Sequence, residues 1–125
     1  MSNYRKYPVR SSAILTSSYV AGTVVELDPG ANQIVIYLGF TIGSLTTMEL
    51  KVEFSNDNTT FYQETHQDSV TSGVAAQVLK SHQLSATGNY RIPIPVKDRF
   101  VKISVKGTGT ATSSLATVDV ISDKV

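Results

Sequence analysis

The chain contains no cysteine and no tryptophan among its 125 residues. The first absence excludes disulfides and thiolate metal sites, while leaving compartment open, since stable secreted domains also exist without cysteine. The second removes the ring that sandwich-type carbohydrate modules rely on most for stacking. Charged residues make up only 17% and the net charge is +1, too little for a global field that would draw nucleic acid or an anionic membrane. No stretch approaches the roughly 20 apolar residues of a bilayer-spanning helix. Near the start, Tyr7-Pro8-Val9 is not the apolar run of a signal peptide. The expectation is a soluble chain, made and used without export by the general secretory route.

What is present favours β structure. Serine, threonine and glycine are frequent, which suits short strands joined by polar turns better than helices with Glu- and Lys-rich surfaces. From Leu45 to Thr65, Met48, Leu50, Val52 and Phe54 alternate with Glu49, Lys51 and Glu53, a strand with one dry and one wet face. Ser55-Asn56-Asp57-Asn58 then turns the chain, and Phe61 to Glu64 resumes an extended pattern, giving a β-hairpin. Gln33 to Thr41 is apolar on both parities. It is expected in the middle of a sheet, beside that hairpin, covered on both sides or shielded by a neighbouring subunit.

Short β-prone runs lie at Ala13–Tyr19 and Thr23–Leu27, followed by a turn at Asp28-Pro29-Gly30-Ala31-Asn32. His66 to Gly73 reads as a polar connection. Val74 to Ala86 reads as a strand, with Val74, Ala76, Val78 and Leu84 sharing a parity, although it would also pass as a short helix. In Asn89–Val96 the prolines Pro93 and Pro95 stand two apart, which predicts an edge strand. Arg99–Lys106 turns Val101, Ile103 and Val105 inward, Gly107 to Thr110 forms a turn, and Leu115–Ile121 places Ala116, Val118 and Val120 on one face. The expected fold is all-β: a single antiparallel β-sandwich, jelly-roll or immunoglobulin-like, of about eight strands. It occupies residues 13–125, behind an extended N-terminal arm at 1–12.

The arm carries Arg5, Lys6 and Arg10, which leaves the body at about −2 out of a net +1, so arm and body have opposite signs. Tyr4, Arg5, Lys6, Tyr7 and Arg10 mix cations and rings as single-strand nucleic-acid binders do. Three cations make a thin footprint for that use. Docking on a neighbouring protein subunit, by strand addition or by pairing with acidic side chains, is the expected role.

Catalytic patterns are not found, and no cofactor is expected. His66 and His82, with Glu64 or Asp68, would make a metal set only if their strands met, and no metal-ligand spacing fixes that. Glu49 and Glu53 share a face, but Lys51 stands between them, as in ordinary surface charge alternation. No Gly-x-Ser-x-Gly elbow marks a nucleophile. Gly107-Thr108-Gly109 is not followed by the helix that a phosphate loop requires. The Asn56-Asp57-Asn58 run lacks the terminal glutamate of a calcium loop. Phe61 and Tyr62, with nearby Asn and Asp side chains, are candidates for stacking on a sugar.

Two longer stretches, KVEFSNDNTTFYQET and YRIPIPVKDRFVKISVKGTGTATSS, resemble a group of small tailed-bacteriophage virion proteins that begin with a polar arm and continue as one β-sandwich. Phe54-Ser55-Asn56-Asp57 before Phe61-Tyr62 matches one motif of the group. Tyr90-Arg91-Ile92-Pro93 before Asp98-Arg99-Phe100-Val101 matches the other. A larger aromatic than Phe61 is common at that place. The likeness spans most of residues 13 to 121, and its motifs are structural.

The resemblance implies a non-enzymatic virion component, made in the host cytoplasm. The favoured role is a head decoration or cement protein that binds the major capsid protein or another virion protein and associates with its own copies, as a trimer. A tail-, neck- or fibre-associated protein and a carbohydrate-binding adhesion module are the alternatives.

Overall fold

In the computed structural model, residues 5–110 and 113–123 are described, and every regular element among them is a strand. β1 spans Arg5–Ala13, β2 Val20–Ala21, β3 Val25–Glu26, β4 Gln33–Thr41, β5 Leu45–Ser55 and β6 Tyr62–Gln63. β7 spans Thr65–Thr71, β8 Val74–Leu79, β9 His82–Leu84, β10 Gly88–Pro95, β11 Phe100–Gly109 and β12 Leu115–Asp123. Twelve strands replace the expected eight or so, because β2, β3, β6 and β9 hold only two or three residues each and the expected polar connection at 66–73 is strand β7 as far as Thr71. No helix among the described residues is long and apolar enough to cross a membrane.

The strands form the expected sandwich. One sheet has the order β1-β12-β4-β10; the other has β2-β11-β5-β6, with β3 added on β11 and β9 on β5. All pairings are antiparallel. The chain crosses between these two sheets at β1→β2, β3→β4, β4→β5, β9→β10, β10→β11 and β11→β12. At these crossings, strands adjacent in sequence lie in opposite sheets instead of pairing, whereas β5–β6 and β7–β8 pair as hairpins.

This corrects one expectation. The β5–β6 hairpin forms, but not beside β4, whose neighbours are β12 and β10. The reason lies in the short link at 42–44, where Gly43 adopts φ 56°. It carries the chain across to the opposite sheet, so that Ile34, Ile36, Leu38 and Phe40 meet Met48, Leu50 and Val52 within one buried cluster. Val101, Ile103 and Val105 of β11 and Ala116, Val118 and Val120 of β12 complete its centre. Each fully buried Leu or Ile there contributes about 1.5–3 kcal/mol relative to exposure.

The turn at Asp28–Asn32 closes by donation from Ala31 N–H to the Asp28 carbonyl at 3.1 Å, with Gly30 at φ 85°, the type II pattern set by Pro29 and Gly30. β10 is an edge strand, as its prolines require. Ile92 and Ile94 stand opposite Ile36 and Ile34, while Pro93 and Pro95 take the alternate positions whose missing amides face the open edge. β11 runs through Gly107 and Thr108 to Gly109, beyond the turn expected there.

The N-terminal stretch departs most from its reading. Residues 5–13 form β1, the edge strand of the first sheet, paired with β12 of the same chain, so a boundary at 12/13 cuts through a strand. Tyr7 stands opposite Val120 and packs against the core, and a register irregularity between Pro8 and Arg10 leaves Val9 unmatched. This bulge turns the Val9 carbonyl toward the second sheet, where it accepts the Thr23 N–H at 2.9 Å, and Val9 itself is buried. β1 thereby closes one side of the sandwich. Its polar residues hid an apolar pair, Tyr7 and Val9, which stand two apart and so share the inward face of the strand.

Candidate functional site

The candidate arm residues are engaged within their own chain. Arg5 is ion-paired with Asp28 at 3.2 Å and lies over the Tyr7 ring at 5.3 Å. Lys6 approaches Asp119 at 4.0 Å. Arg10 donates to the carbonyls of Ala116, Ala13 and Ile14 at 3.1–3.2 Å, and its burial lowers its pKa. The opposite charges of arm and body thus find each other inside one protomer. Tyr4 lies outside the described residues.

Tyr7 marks an open cavity of about 950 Å³ at one end of the sandwich, lined by Arg5, the segment Glu26–Asn32, Asn56 and the segment Val96–Arg99. The Tyr7 hydroxyl is buried without a hydrogen-bond partner. Cations and anions alternate around the mouth, and two pairs, Arg5–Asp28 and Arg99–Glu26 at 3.5 Å, neutralise each other.

The loop after β5 explains the Phe-Ser-x-Asp motif. Ser55 is buried and its Oγ accepts the N–H groups of Asp57 and Asn58, while the Asp57 carboxylate accepts those of Thr59 and Thr60, both at 2.9 Å, and the Ser55 hydroxyl. These donors hold the Asp57 carboxyl below its ordinary pKa, the Thr60 and Thr59 amides first. Asn56 accepts the Arg99 N–H and donates to Asp98, tying this loop to the second motif.

Phe61 and Tyr62 do not form one platform. The Phe61 ring lies under the Lys102 ammonium at 4.2 Å, whereas Tyr62 pairs with Phe54 at the sheet edge and is 70% exposed. On the outer face of the second sheet, Glu49 pairs with Lys106 at 3.1 Å and Glu53 with Lys51 at 3.6 Å, the alternation expected of a charged sheet face. Tyr19 covers Lys51 and Lys106 at 4.5 and 4.8 Å. Of the two histidines, His82 bonds Glu64 at 3.2 Å, while His66 sits on an exposed strand and does not join them. No group of three His, Cys, Asp or Glu side chains able to hold a metal occurs among the described residues.

Two surfaces lack a covering layer, of which the reading of the sequence missed the first and anticipated the second. β7 and β8 form a separate two-stranded ribbon, every residue of which is exposed, with Val70, Val74 and Leu79 each more than half so. Its turn has positive φ at both Ser72 (52°) and Gly73 (79°), the twist-matched hairpin geometry. The Ser-Gly dipeptide and the uncharged run from Ser69 to Leu79 were the available signals. The second surface is the outer face of the first sheet, where Val35 lies between Ile121 and Pro93, and Tyr37 between Asp119 and Arg91. Tyr37 is 41% exposed. This is the second apolar parity of β4, which its own chain leaves uncovered.

These features define an all-β sandwich protein whose unusual surfaces are apolar and lie outside its cavity. Among solved structures, the crystal structure of SPBc2 prophage-derived protein YomS is similar at a TM-score of 0.61 and 14% identity, covering 98% of this chain and 95% of that one. At that identity the likeness establishes the fold. The structure of infectious bursal disease virus Gt strain aligns at a TM-score of 0.28 and 11% identity over 97% of this chain and 40% of that one, too weak to bear on it. No family model and no curated protein matches the chain.

Proposed function

We propose that this chain is a non-enzymatic structural protein of a bacteriophage virion, a head decoration or cement protein that binds the major capsid protein and neighbouring copies of itself. The observation that carries the reading is the likeness to a prophage-derived protein along nearly the whole length of both chains. Two further features support it. The charged side chains that come together mainly pair with each other and fasten loops, and the surfaces without partners are a ribbon and a sheet face, shapes suited to binding protein.

The reading is tested on particles of the phage that encodes the chain, purified on a density gradient and separated into heads and tails. The chain should travel with heads in a fixed ratio to the major capsid protein. Recovery with tails would move it to a neck or tail position, and recovery only in the particle-free fraction would overturn the reading.

A further inference from the structure

Two surfaces of this one chain lack a partner, and they match. The ribbon of β7 and β8 is exposed on both faces, and a two-stranded hairpin alone is marginally stable in water. In β8, alternate residues Val74, Ala76 and Val78 share one face, and Ala76 stands opposite Ser69, which keeps that face low and flat. From Ser69 to Leu79 no side chain is charged, so nothing solvates that part of the ribbon strongly. The outer face of the first sheet supplies the counterpart, with Ile121, Val35 and Pro93 side by side and Tyr37 next to them.

Charge adds the specificity. The ribbon has one acidic residue, Asp68, at the register irregularity of β7. The sheet face has Arg91, beside Tyr37. Among the described residues neither makes a hydrogen bond or ion pair, whereas Asp119, on the other side of Tyr37, is approached by Lys6. One unpaired anion on the ribbon thus corresponds to one unpaired cation on the face.

We propose that the ribbon of one copy lies on the outer face of the β1-β12-β4-β10 sheet of a second copy, with Val74 and Val78 against Val35 and Tyr37, and Asp68 paired with Arg91. This rests on the reading above of a self-associating structural protein and names the surfaces through which association occurs. The ribbon leaves the sandwich beside β6 and β9, away from the β1 edge, so it is free to reach a neighbour. Because donor and acceptor are different patches, the contact closes either reciprocally in a two-fold dimer or head to tail in a ring. The trimer implied by the family resemblance is the smallest such ring.

Light scattering coupled to size exclusion over a dilution series of the full chain reads the outcome. The native chain should be oligomeric. Asp68→Arg and Arg91→Asp should each weaken association about tenfold or more, and the double swap should restore it, because coupled pairs are recognised by their non-additivity. Val74→Asp with Val78→Asp, and separately Tyr37→Asp, should yield monomers with an unchanged β-sheet circular dichroism spectrum. A native chain that is monomeric throughout, or an oligomer indifferent to the ribbon and face variants, would overturn the proposal. So would single swaps that weaken association without rescue in the double variant. A monomer still recovered with purified heads, with ribbon variants that lose the heads, assigns the ribbon to another virion protein and overturns the proposal while sparing the functional reading. An oligomer that responds as expected but never enters particles does the reverse.

Discussion

Nε2 of His82 lies 3.2 Å from a carboxylate oxygen of Glu64, with the two side chains only 18% and 13% exposed. The pair sits where the ribbon joins the sandwich. Glu64 N–H donates to the Val52 carbonyl, Lys80 N–H donates to the Glu64 carbonyl, and the Gln63 amide donates to the Lys80 carbonyl. Together they clamp both ends of the β7–β8 excursion to β5. A sheltered hydrogen bond to a charged group contributes about 1.5–3 kcal/mol. Glu64→Ala is therefore expected to lower stability by that order and to speed amide exchange in β7 and β8, with β4 and β12 still protected. Hydrogen exchange read by mass spectrometry checks this, and an unchanged ribbon would show that the clamp lies elsewhere.

Gly22 and Val9 define how β1 is held. A Cβ on Gly22 would lie 2.6 Å from both Cγ1 and the carbonyl oxygen of Val9, so Gly22→Ala must push β1 outward. Overpacking of this kind costs about 1–3 kcal/mol. Deleting residues 1–12 also strips Tyr7 and Val9 from the core and bares the β12 edge, so it should lower the melting temperature further than Gly22→Ala does. A truncated chain that melts with the full-length protein would mean that β1 contributes nothing to the fold.

The strands that read clearly in the sequence are those with one dry face. Met48, Leu50 and Val52, and likewise Val101, Ile103 and Val105, point inward as their alternation requires, and the prolines of β10 mark its edge. Pairing between strands was less legible, because sequence periodicity gives each strand a face without giving it a neighbour. The placement of β5 opposite β4 depends on the short crossing at Gly43. The ribbon was hidden for a different reason. Val74, Ala76 and Val78 carry the same signature as a core-facing strand, and only the absence of a covering layer distinguishes them. β1 was hidden by its composition, since Tyr7 and Val9 flank a proline amid three cations.

Asp57 predicts how the fold responds to acid. Backbone amides of Thr60 and Thr59 and the Ser55 hydroxyl favour its ionised form, so its folded pKa lies below the ordinary 3.8. A group depressed in this way contributes stability that is full above the unfolded pKa and is lost as pH falls through the folded one. Asp57→Asn keeps an acceptor oxygen and removes the charge. The variant should melt below the native chain at pH 7 and converge with it once the pH falls below the folded pKa. A constant gap between the two across an acid series of thermal melts would show that the Asp57 charge has no part in holding the loop.

Ile36 and Leu79 separate the two kinds of apolar side chain in this molecule. Ile36 is fully buried at the centre of β4, and Leu79 is 67% exposed at the base of the ribbon. Cutting a buried Ile to Ala costs about 2–5 kcal/mol, since the lost transfer energy is joined by a cavity that the surroundings fill only in part. An exposed position carries no cavity term, and substitutions there stay within about 0.5 kcal/mol. Urea unfolding of dilute protein should therefore move strongly for Ile36→Ala and barely for Leu79→Ala. At concentrations where copies associate, Val74→Ala, on the opposite ribbon face that a second copy covers and 68% exposed in the single chain, should lose stability that it does not lose when dilute, because a side chain covered only by a neighbour stabilises by mass action. Equal responses of Val74→Ala at both concentrations would leave that side chain in solvent, outside any contact between copies.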